Sequence, residues 1–317
     1  MNARTERQIE AMKNTRYGVE IEMNGITREK AAKTAAEFFG TNRWENTAAR
    51  NGYSTVSAFD NEGREWKFSK DVSITGPDAE KTELITPLLT WEHDMESLQE
   101  LVRRLRRAGG VSKPSVGASV HVHVSGEGHT PESLRALVNL MASHEGLIFE
   151  ALRIDQARID RYCKPVNYEF LRVLNEKKPK TMAKLADIWY STQDADWGRT
   201  THYNSSRYSA ANLHSFFTGK GIELRLFNFN EAHDGKKGGL NAGELKTFIQ
   251  LSLGISQMAK EIKTASPNPS TSPNKKFTMR TWLNRMGFIG DEFATAREVL
   301  TRWLPGDAAF RNGRQSA

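Results

Sequence analysis

Three short segments of this 317-residue chain alternate apolar and ionisable residues with a period of two. They are residues 18–23 (GVEIEM), 120–124 (VHVHV) and 222–226 (IELRL). Since side chains at i and i+2 share one face of a β-strand, the alternation predicts three strands, each with an apolar and an ionisable face. The apolar faces can pack on helices, so it is the ionisable faces that need a partner.

The ionisable faces carry complementary groups, which are Glu20 and Glu22, His121 and His123, and Glu223 and Arg225. One such strand is common on a half-solvated sheet, whereas three with complementary chemistry favour a functional site. Two carboxylates about 7 Å apart on one strand face repel each other unless a cation lies nearby. Mg²⁺ or Mn²⁺ would remove that repulsion, because both prefer oxygen ligands and accept an imidazole.

Arg225 cannot be a metal ligand, although it shares a strand face with Glu223. Its planar guanidinium matches phosphate oxygens through paired hydrogen bonds, so this combination predicts a metal–nucleotide site. Two further segments add polar side chains. Residues 66–74 (WKFSKDVSI) are predicted to form a strand that presents on one face Lys67, Ser69, Asp71 and Ser73. Residues 83–88 (ELITPL) are predicted to begin a strand with another carboxylate, Glu83.

Helical periodicity predicts helices at residues 94–108, 131–153 and 243–263. The second begins with a favourable N-cap and first-turn proline, Thr130 and Pro131. Residues 264–277 (TASPNPSTSPNKKF) are predicted to be a Pro- and Ser-rich linker. The linker separates a predicted catalytic domain, residues 1–263, from a tail of two short helices at residues 278–317.

The chain has 45 Lys+Arg, 38 Asp+Glu, a net charge of +7 and one cysteine. A single cysteine excludes internal disulfides and Cys-based zinc fingers, and it is typical of a reducing compartment, so we expect a cytoplasmic protein. No apolar run is long enough for a signal peptide or a membrane-spanning helix, so we expect no membrane partner. The basic run at residues 103–107 is predicted to be a solvated helix face.

These segments, together with residues 203–215 (YNSSRYSAANLHS), resemble in their order the amidoligase family, carboxylate–amine ligases related to glutamine synthetase and glutamate–cysteine ligase. The resemblance runs from about residue 17 to residue 260. It implies an α+β, glutamine synthetase-like fold, in which a curved antiparallel sheet forms an active-site funnel with helices on its convex face. It also implies that ATP phosphorylates a carboxylate and that an amine then displaces the phosphate to form an amide or isopeptide bond.

From this resemblance and the strand faces we expect roles for individual residues. The expected metal ligands are Glu20, Glu22, Asp71, His121 and Glu223. The expected nucleotide-binding residues are Lys67, His123, Asn212 and Arg225. The expected catalytic residues are Glu83, Arg207 and Arg225. The implied partners are ATP with Mg²⁺ or Mn²⁺, an unidentified carboxylate and an unidentified amine. A mobile loop at residues 192–206 or 235–243 is expected to shield the acyl phosphate from water.

One departure from the family is the stretch after residues 221–228 (GIELRLFN), where a Gly-Thr turn is replaced by FNEAHD and a Gly- and Lys-rich loop. Two alternative functions stay open. A cupin-type enzyme would bind one Zn²⁺ or Fe²⁺ through the His-x-His pair and a glutamate. A nucleic-acid-binding protein would use the basic run at 103–107 and the tail, but no RNA-binding motif is present, so we expect no nucleic-acid partner.

Overall fold

The computed structural model describes residues 3–193, 198–235 and 237–311. The described residues form twelve α-helices, which are α1 (Ala3–Asn14), α2 (Arg28–Phe39), α3 (Ala48–Asn51), α4 (Trp91–Arg107), α5 (Pro131–Leu152), α6 (Gln156–Arg161), α7 (Tyr168–Lys177), α8 (Met182–Thr192), α9 (Leu213–Phe217), α10 (Ala242–Glu261), α11 (Lys275–Arg285) and α12 (Ala294–Thr301). They also form eight strands, which are β1 (Tyr17–Met23), β2 (Trp44–Asn46), β3 (Val56–Phe59), β4 (Glu65–Ser69), β5 (Thr82–Ile85), β6 (Val120–Val124), β7 (Ala211–Asn212) and β8 (Ile222–Phe227).

The eight strands belong to one sheet with the order β2-β3-β4-β5-β1-β6-β8-β7. Consecutive strands β2 to β5 form an antiparallel meander, and β1 pairs with the last of them. The prediction of an α+β fold with an antiparallel sheet and a short helical tail is confirmed. The funnel stays a prediction.

The three alternating segments form β1, β6 and β8, as predicted. Their apolar residues are buried, but so are several ionisable ones: Glu22, His121 and Glu223 are only 5%, 4% and 3% exposed. Burying an ionised group costs several kcal/mol unless it is paired and hydrogen-bonded. The ionisable faces are therefore partly buried, and the buried charges on them need partners.

The predicted strand at residues 66–74 is too long, because β4 ends at Ser69. The chain then turns, and Asp71 Oδ1 accepts hydrogen bonds from both the backbone N–H and the hydroxyl of Ser73, each at 2.6 Å. Such an Asx turn gives the backbone an alternative to continuing the ladder. The prediction that strand alternation places Asp71 and Ser73 on the same face as Lys67 is therefore wrong.

The predicted helices correspond to α4, α5 and α10, with small shifts at their ends. In α5, Thr130 Oγ1 accepts from the Ser133 N–H and the Ser133 hydroxyl accepts from the Thr130 N–H, which forms a capping box ahead of the first turn. α4 begins at Trp91, before the predicted start, and the Thr90 N–H donates to the Asp94 carboxylate. None of the described helices is both long and apolar enough to cross a membrane.

The chain divides into two compact units. The strand-rich unit consists of residues 16–122 and 227–246, and the helix-rich unit contains the described parts of residues 3–15, 123–226 and 247–311. In the helix-rich unit, α12 packs against α5 and α11, and the rings of Phe288 and Phe293 are stacked with centroids 4.6 Å apart. The two short tail helices are thus part of a packed core. The predicted domain boundaries at 263 and 277 stay predictions.

Glu145 of α5 is a buried acid in the core of the helix-rich unit. Both of its carboxylate oxygens accept from the Val166 N–H, at 3.1 and 3.0 Å, yet burial raises the pKa of Glu145 from 4.5 to about 7. The folded state therefore holds this proton more tightly than the unfolded state does. Protonation of Glu145 therefore contributes to the free energy of unfolding. The contribution is at its maximum below pH 4.5 and is lost as the pH rises towards 7.

We expect Glu145→Gln to be more stable than the wild type at pH 8, by up to about 3 kcal/mol, because glutamine keeps an acceptor for Val166 and carries no charge. The difference should shrink as the pH falls to 5. Urea unfolding of both proteins at pH 5, 6, 7 and 8 measures it, with exposed Glu37→Gln on α2 as the control. A stability difference that does not change with pH would contradict the assignment.

Candidate functional site

Two of the predicted carboxylates lie opposite each other on neighbouring strands of the strand-rich unit. Glu22 on β1 is directly opposite Glu83 on β5, and opposite residues on a sheet have Cβ atoms about 5 Å apart. Like charges in this position destabilise a sheet, and Glu22 is also buried. A divalent cation would turn the repulsion into attraction, because carboxylate oxygens are its preferred ligands. The register of β1 and β5 therefore indicates a cation site.

Glu20 and Lys67 lie on the same sheet face as this pair. Both are opposite Ile85 of β5, Glu20 from β1 and Lys67 from β4. Since residues two apart on a strand share a face, Ile85 and Glu83 point the same way, and so do Glu20 and Glu22. Lys67 thus lies across β5 from the carboxylates of β1, with its Nζ 4.0 Å from an oxygen of Glu65.

His121 of β6 is held between oxygen atoms of the same unit. Its Nδ1 lies 2.9 Å from Glu20 Oε2, and its Nε2 lies 3.0 Å from Ser119 Oγ and 3.9 Å from Glu22 Oε1. The Ser119 hydroxyl in turn donates to Glu22 Oε2 at 2.7 Å. The sequence analysis missed Ser119, although its position two residues before His121 is the signal that it shares that strand face. Ser119 therefore positions both the imidazole and a carboxylate.

The side chains of this unit form two groups with the composition of metal sites. One ligand atom from each of Glu20, Glu83 and His121 lies within 4.8 Å of the others, and the same holds for Glu22, Asp71 and Glu83. Glu83 belongs to both groups. Four carboxylates and one imidazole are hard or borderline ligands, so the donor set fits Mg²⁺ or Mn²⁺.

Asp71 reaches the second group by a route that the strand pattern does not predict. It lies in the turn after β4, where the bonds from Ser73 hold its carboxylate. Its half-buried carboxylate is therefore placed near Glu22 and Glu83 by the turn and by the β1–β5 register together.

In the helix-rich unit, Glu223 of β8 is held by two other predicted site residues. Asn212 lies opposite it on β7 and donates from Nδ2 to Oε2 at 2.6 Å, while Arg225 donates from Nη1 to Oε1 at 2.5 Å. His123 Nε2 lies 3.9 Å from the same Oε1. The Asn212 side-chain oxygen accepts from the Ser215 N–H and caps α9, so both ends of this amide are engaged. The arrangement fixes the orientation of the Glu223 carboxylate.

Arg158 is a residue that the sequence analysis missed. Its Nη2 donates to the backbone carbonyl of Arg225, and both arginines are buried, with 9% and 6% exposure. It lies in the short helix α6, which is capped by Asp155. Nothing in the local sequence distinguishes it from a solvated helix arginine. Nearby Cys163 is fully buried, and burial raises the pKa of its thiol, which makes it a poor nucleophile.

Arg207 lies near Arg225 in the helix-rich unit, since the two guanidinium groups are 5.9 and 6.0 Å from the centroid of the same ring, that of Tyr208. Arg207 Nη1 donates to the His202 carbonyl at 3.1 Å, and its guanidinium lies over the rings of Tyr203 and Tyr208. Its catalytic role stays a prediction. The two predicted mobile loops lie partly outside the described residues, at 194–197 and 236. In the described part of the second loop, Arg106 donates to the carbonyls of Lys237 and Leu240, at 2.7 and 2.9 Å.

The features behind the two alternative functions have other partners in the structure. No group of metal-ligand atoms found within residues 3–193, 198–235 and 237–311 contains more than one histidine, and His121 and His123 belong to different groups. A cupin-type site needs both on one metal. In the basic run, Arg103, Arg104 and Arg107 all pair with Glu100. This pairing reduces the charge that the helix presents to a polyanion.

A family model described as "putative amidoligase enzyme" matches residues 13–255. No curated protein sequence matches the chain. Among solved structures, a bifunctional glutathione synthetase from Pasteurella multocida is similar over 96% of this chain, with a TM-score of 0.46 and 12% identity. The chain spans 49% of that structure's chain. A likeness of this degree carries no statement about activity, and the glutamine synthetase-like character of the fold stays a prediction.

Proposed function

Because the chain belongs to the amidoligase family, we propose that it is an ATP- and Mg²⁺-dependent ligase that joins a carboxylate to an amine through an acyl phosphate. The observation that carries the proposal is the opposition of Glu22 and Glu83 on neighbouring strands, with a carboxylate oxygen of Asp71 within 4.8 Å of an oxygen of each. Such an arrangement of acids is costly without a cation. A cytoplasmic location goes with the proposal, as does Mn²⁺ as a substitute for Mg²⁺.

The residues that would hold the metal in the strand-rich unit are Glu20, Glu22, Asp71, Glu83 and His121. When bound, the metal would neutralise negative charge on the phosphate oxygens of ATP while the phosphoryl group is transferred. Glu223, with His123 beside it, stays a predicted ligand in the helix-rich unit. Glu83, as the member common to both groups of the strand-rich unit, is the residue on which metal binding would depend most.

Arg225 is proposed to bind the phosphoryl group being transferred. Its guanidinium is buried and held by Glu223, so its direction is set before any ligand arrives. Donors that are already oriented stabilise developing charge without the cost of reorganisation. Lys67, on the carboxylate face of the sheet, is proposed to contact a nucleotide phosphate, and Asn212 to keep Glu223 and hence Arg225 in place.

The proposed reaction has two balanced steps. A substrate carboxylate oxygen attacks the γ-phosphorus, the bond to the β–γ bridging oxygen breaks, and ADP leaves. The nitrogen of a neutral amine then attacks the acyl carbon, the carbon–oxygen bond to phosphate breaks, and inorganic phosphate leaves with the electron pair. The amine proton passes to a carboxylate or to a phosphate oxygen.

Trapping the activated carboxylate tests the proposal. With ATP, Mg²⁺, a pool of carboxylic acids and hydroxylamine in place of the amine, we expect a hydroxamate and an equal amount of ADP. Glu22→Gln should abolish both products, whereas exposed Glu37→Gln should form them at the wild-type rate. Omission of the acids measures simple ATP hydrolysis. Failure to form a hydroxamate or an amide with any acid, under conditions where the protein is folded, would refute the ligase assignment.

A further inference from the structure

A cavity of about 530 Å³ lies within the helix-rich unit, between α5, the end of α10, the segment at residues 264–272 and α11. Its size is within the range of about 300–1,000 Å³ that is usual for small-molecule sites. Its wall includes apolar side chains such as Leu140 and Phe277. The whole of α11 lies beyond residue 255, where the family match ends, and none of the lining residues is a candidate site residue. The cavity is therefore not part of the proposed ligase site.

The charged groups that line the cavity are all basic. Arg285 of α11 and Arg311 line it, and no acidic side chain does so among the described residues. Arg285 is exposed, and its guanidinium forms no ion pair with a carboxylate among the described residues. An arginine with no acid beside it in a cavity wall attracts an anionic group, which it can bind through several N–H donors.

A pair of stacked rings lines the same cavity. The imidazole of His144 and the indole of Trp282 are nearly parallel, at 16°, with centroids 4.0 Å apart. Trp282 is 3% exposed, and its Nε1–H has no acceptor among the described residues. A buried donor without a partner among the described residues is uncommon and costs roughly 1–3 kcal/mol.

His144 is held as a neutral ring. Its Nδ1 lies 3.0 Å from the Leu140 carbonyl and 2.8 Å from the Ser143 hydroxyl. Burial lowers the pKa of His144, and the positive charge of Arg285 lowers it further. The positive charge of the cavity therefore comes from its arginines, and the rings contribute a flat, apolar surface.

We propose that this cavity binds a small organic anion with a flat apolar body, such as an aromatic carboxylate or an aryl phosphate. The anionic group is bound by Arg285, and the body of the ligand packs against the apolar wall and the ring pair. The inference does not depend on the ligase activity, since it rests on different residues.

Three naphthalene probes of equal shape test the proposal on the full-length protein by isothermal titration. We expect 2-naphthoate and 2-naphthyl phosphate to bind about tenfold more tightly than neutral 2-naphthamide, the effect of one partly screened charge pair. Arg285→Gln should remove this preference, and Arg135→Gln, a basic residue of α5 outside the cavity wall, should keep it.

Stronger binding of the aryl phosphate would identify a phosphate site, and equal binding of the two anions would indicate a site for the carboxylate as well. Equal affinity for naphthoate and naphthamide would overturn the proposal, as would an anion preference that survives Arg285→Gln. Lack of binding of every probe at about 1 mM would also overturn it. The titrations need neither ATP nor turnover, so their failure would leave the ligase proposal unaffected.

Discussion

Replacement of Glu83 by glutamine is expected to lower turnover at least about 10³-fold, a loss of roughly 4 kcal/mol of transition-state stabilisation. Glu83 belongs to both clusters of possible metal ligands in the strand-rich unit. Glutamine has almost the same shape but is neutral, so it is a weaker ligand. ADP release measured with increasing Mg²⁺ or Mn²⁺ gives the size of the effect. Asp71→Asn should have a smaller effect, because Asp71 belongs to one group only.

Glu83→Gln should also change the stability of the protein in a metal-dependent way, which would not be expected if Glu83 had only a structural role. In EDTA, Glu83→Gln should be more stable than the wild type by up to about 1 kcal/mol, since it relieves the repulsion with Glu22. Mn²⁺ at 100 times its Kd should stabilise the wild type by about 2.7 kcal/mol and the variant by clearly less. Glu80→Gln, three residues earlier and only partly buried, is the control and should respond as the wild type does. Retention of more than a tenth of the activity by Glu83→Gln would disprove the shared-ligand assignment.

Arg225→Lys is expected to lower kcat/KM for ATP about 10³-fold while the protein stays folded. Lysine keeps a positive charge beside Glu223 but lacks the planar fork that binds two phosphate oxygens at once. Arg225→Gln should lose about as much activity and also about 3–5 kcal/mol of stability, because it leaves the buried Glu223 carboxylate without its cation. Steady-state kinetics and urea unfolding separate the two effects.

Exposed Arg161→Lys on α6 provides the control for an arginine-to-lysine change in the same unit, and we expect wild-type kinetics from it. If Arg225→Lys were folded and within tenfold of the wild-type kcat/KM, the guanidinium would not be the phosphate-binding group. A variant that fails to fold would be replaced by Asn212→Ser, which removes the amide that holds Glu223 and should also slow turnover.

The alternation in β1 made it possible to predict that Glu20 and Glu22 share a strand face, because the period of two follows from the backbone alone. The same local reasoning failed at Asp71, where side-chain hydrogen bonds to the backbone ended the strand that the alternating pattern seemed to continue. It also missed Ser119 and Arg158, whose importance lies in what they contact. A contact with a distant residue leaves no periodic signal in the surrounding sequence.

For this protein, the order of residues was sufficient to determine which side chains share a face of β1, β6 and β8, the approximate positions of the main helices and the family to which the chain belongs. The tertiary structure decided which faces are buried and which acids lie opposite each other, as Glu22 and Glu83 do. The physical reason is that strand geometry depends on near neighbours, whereas register and burial depend on the packing of segments far apart in the chain. The positive charge of the cavity beside Trp282 likewise depends on the tertiary structure, because the helices and the loop that line the cavity are far apart in the sequence.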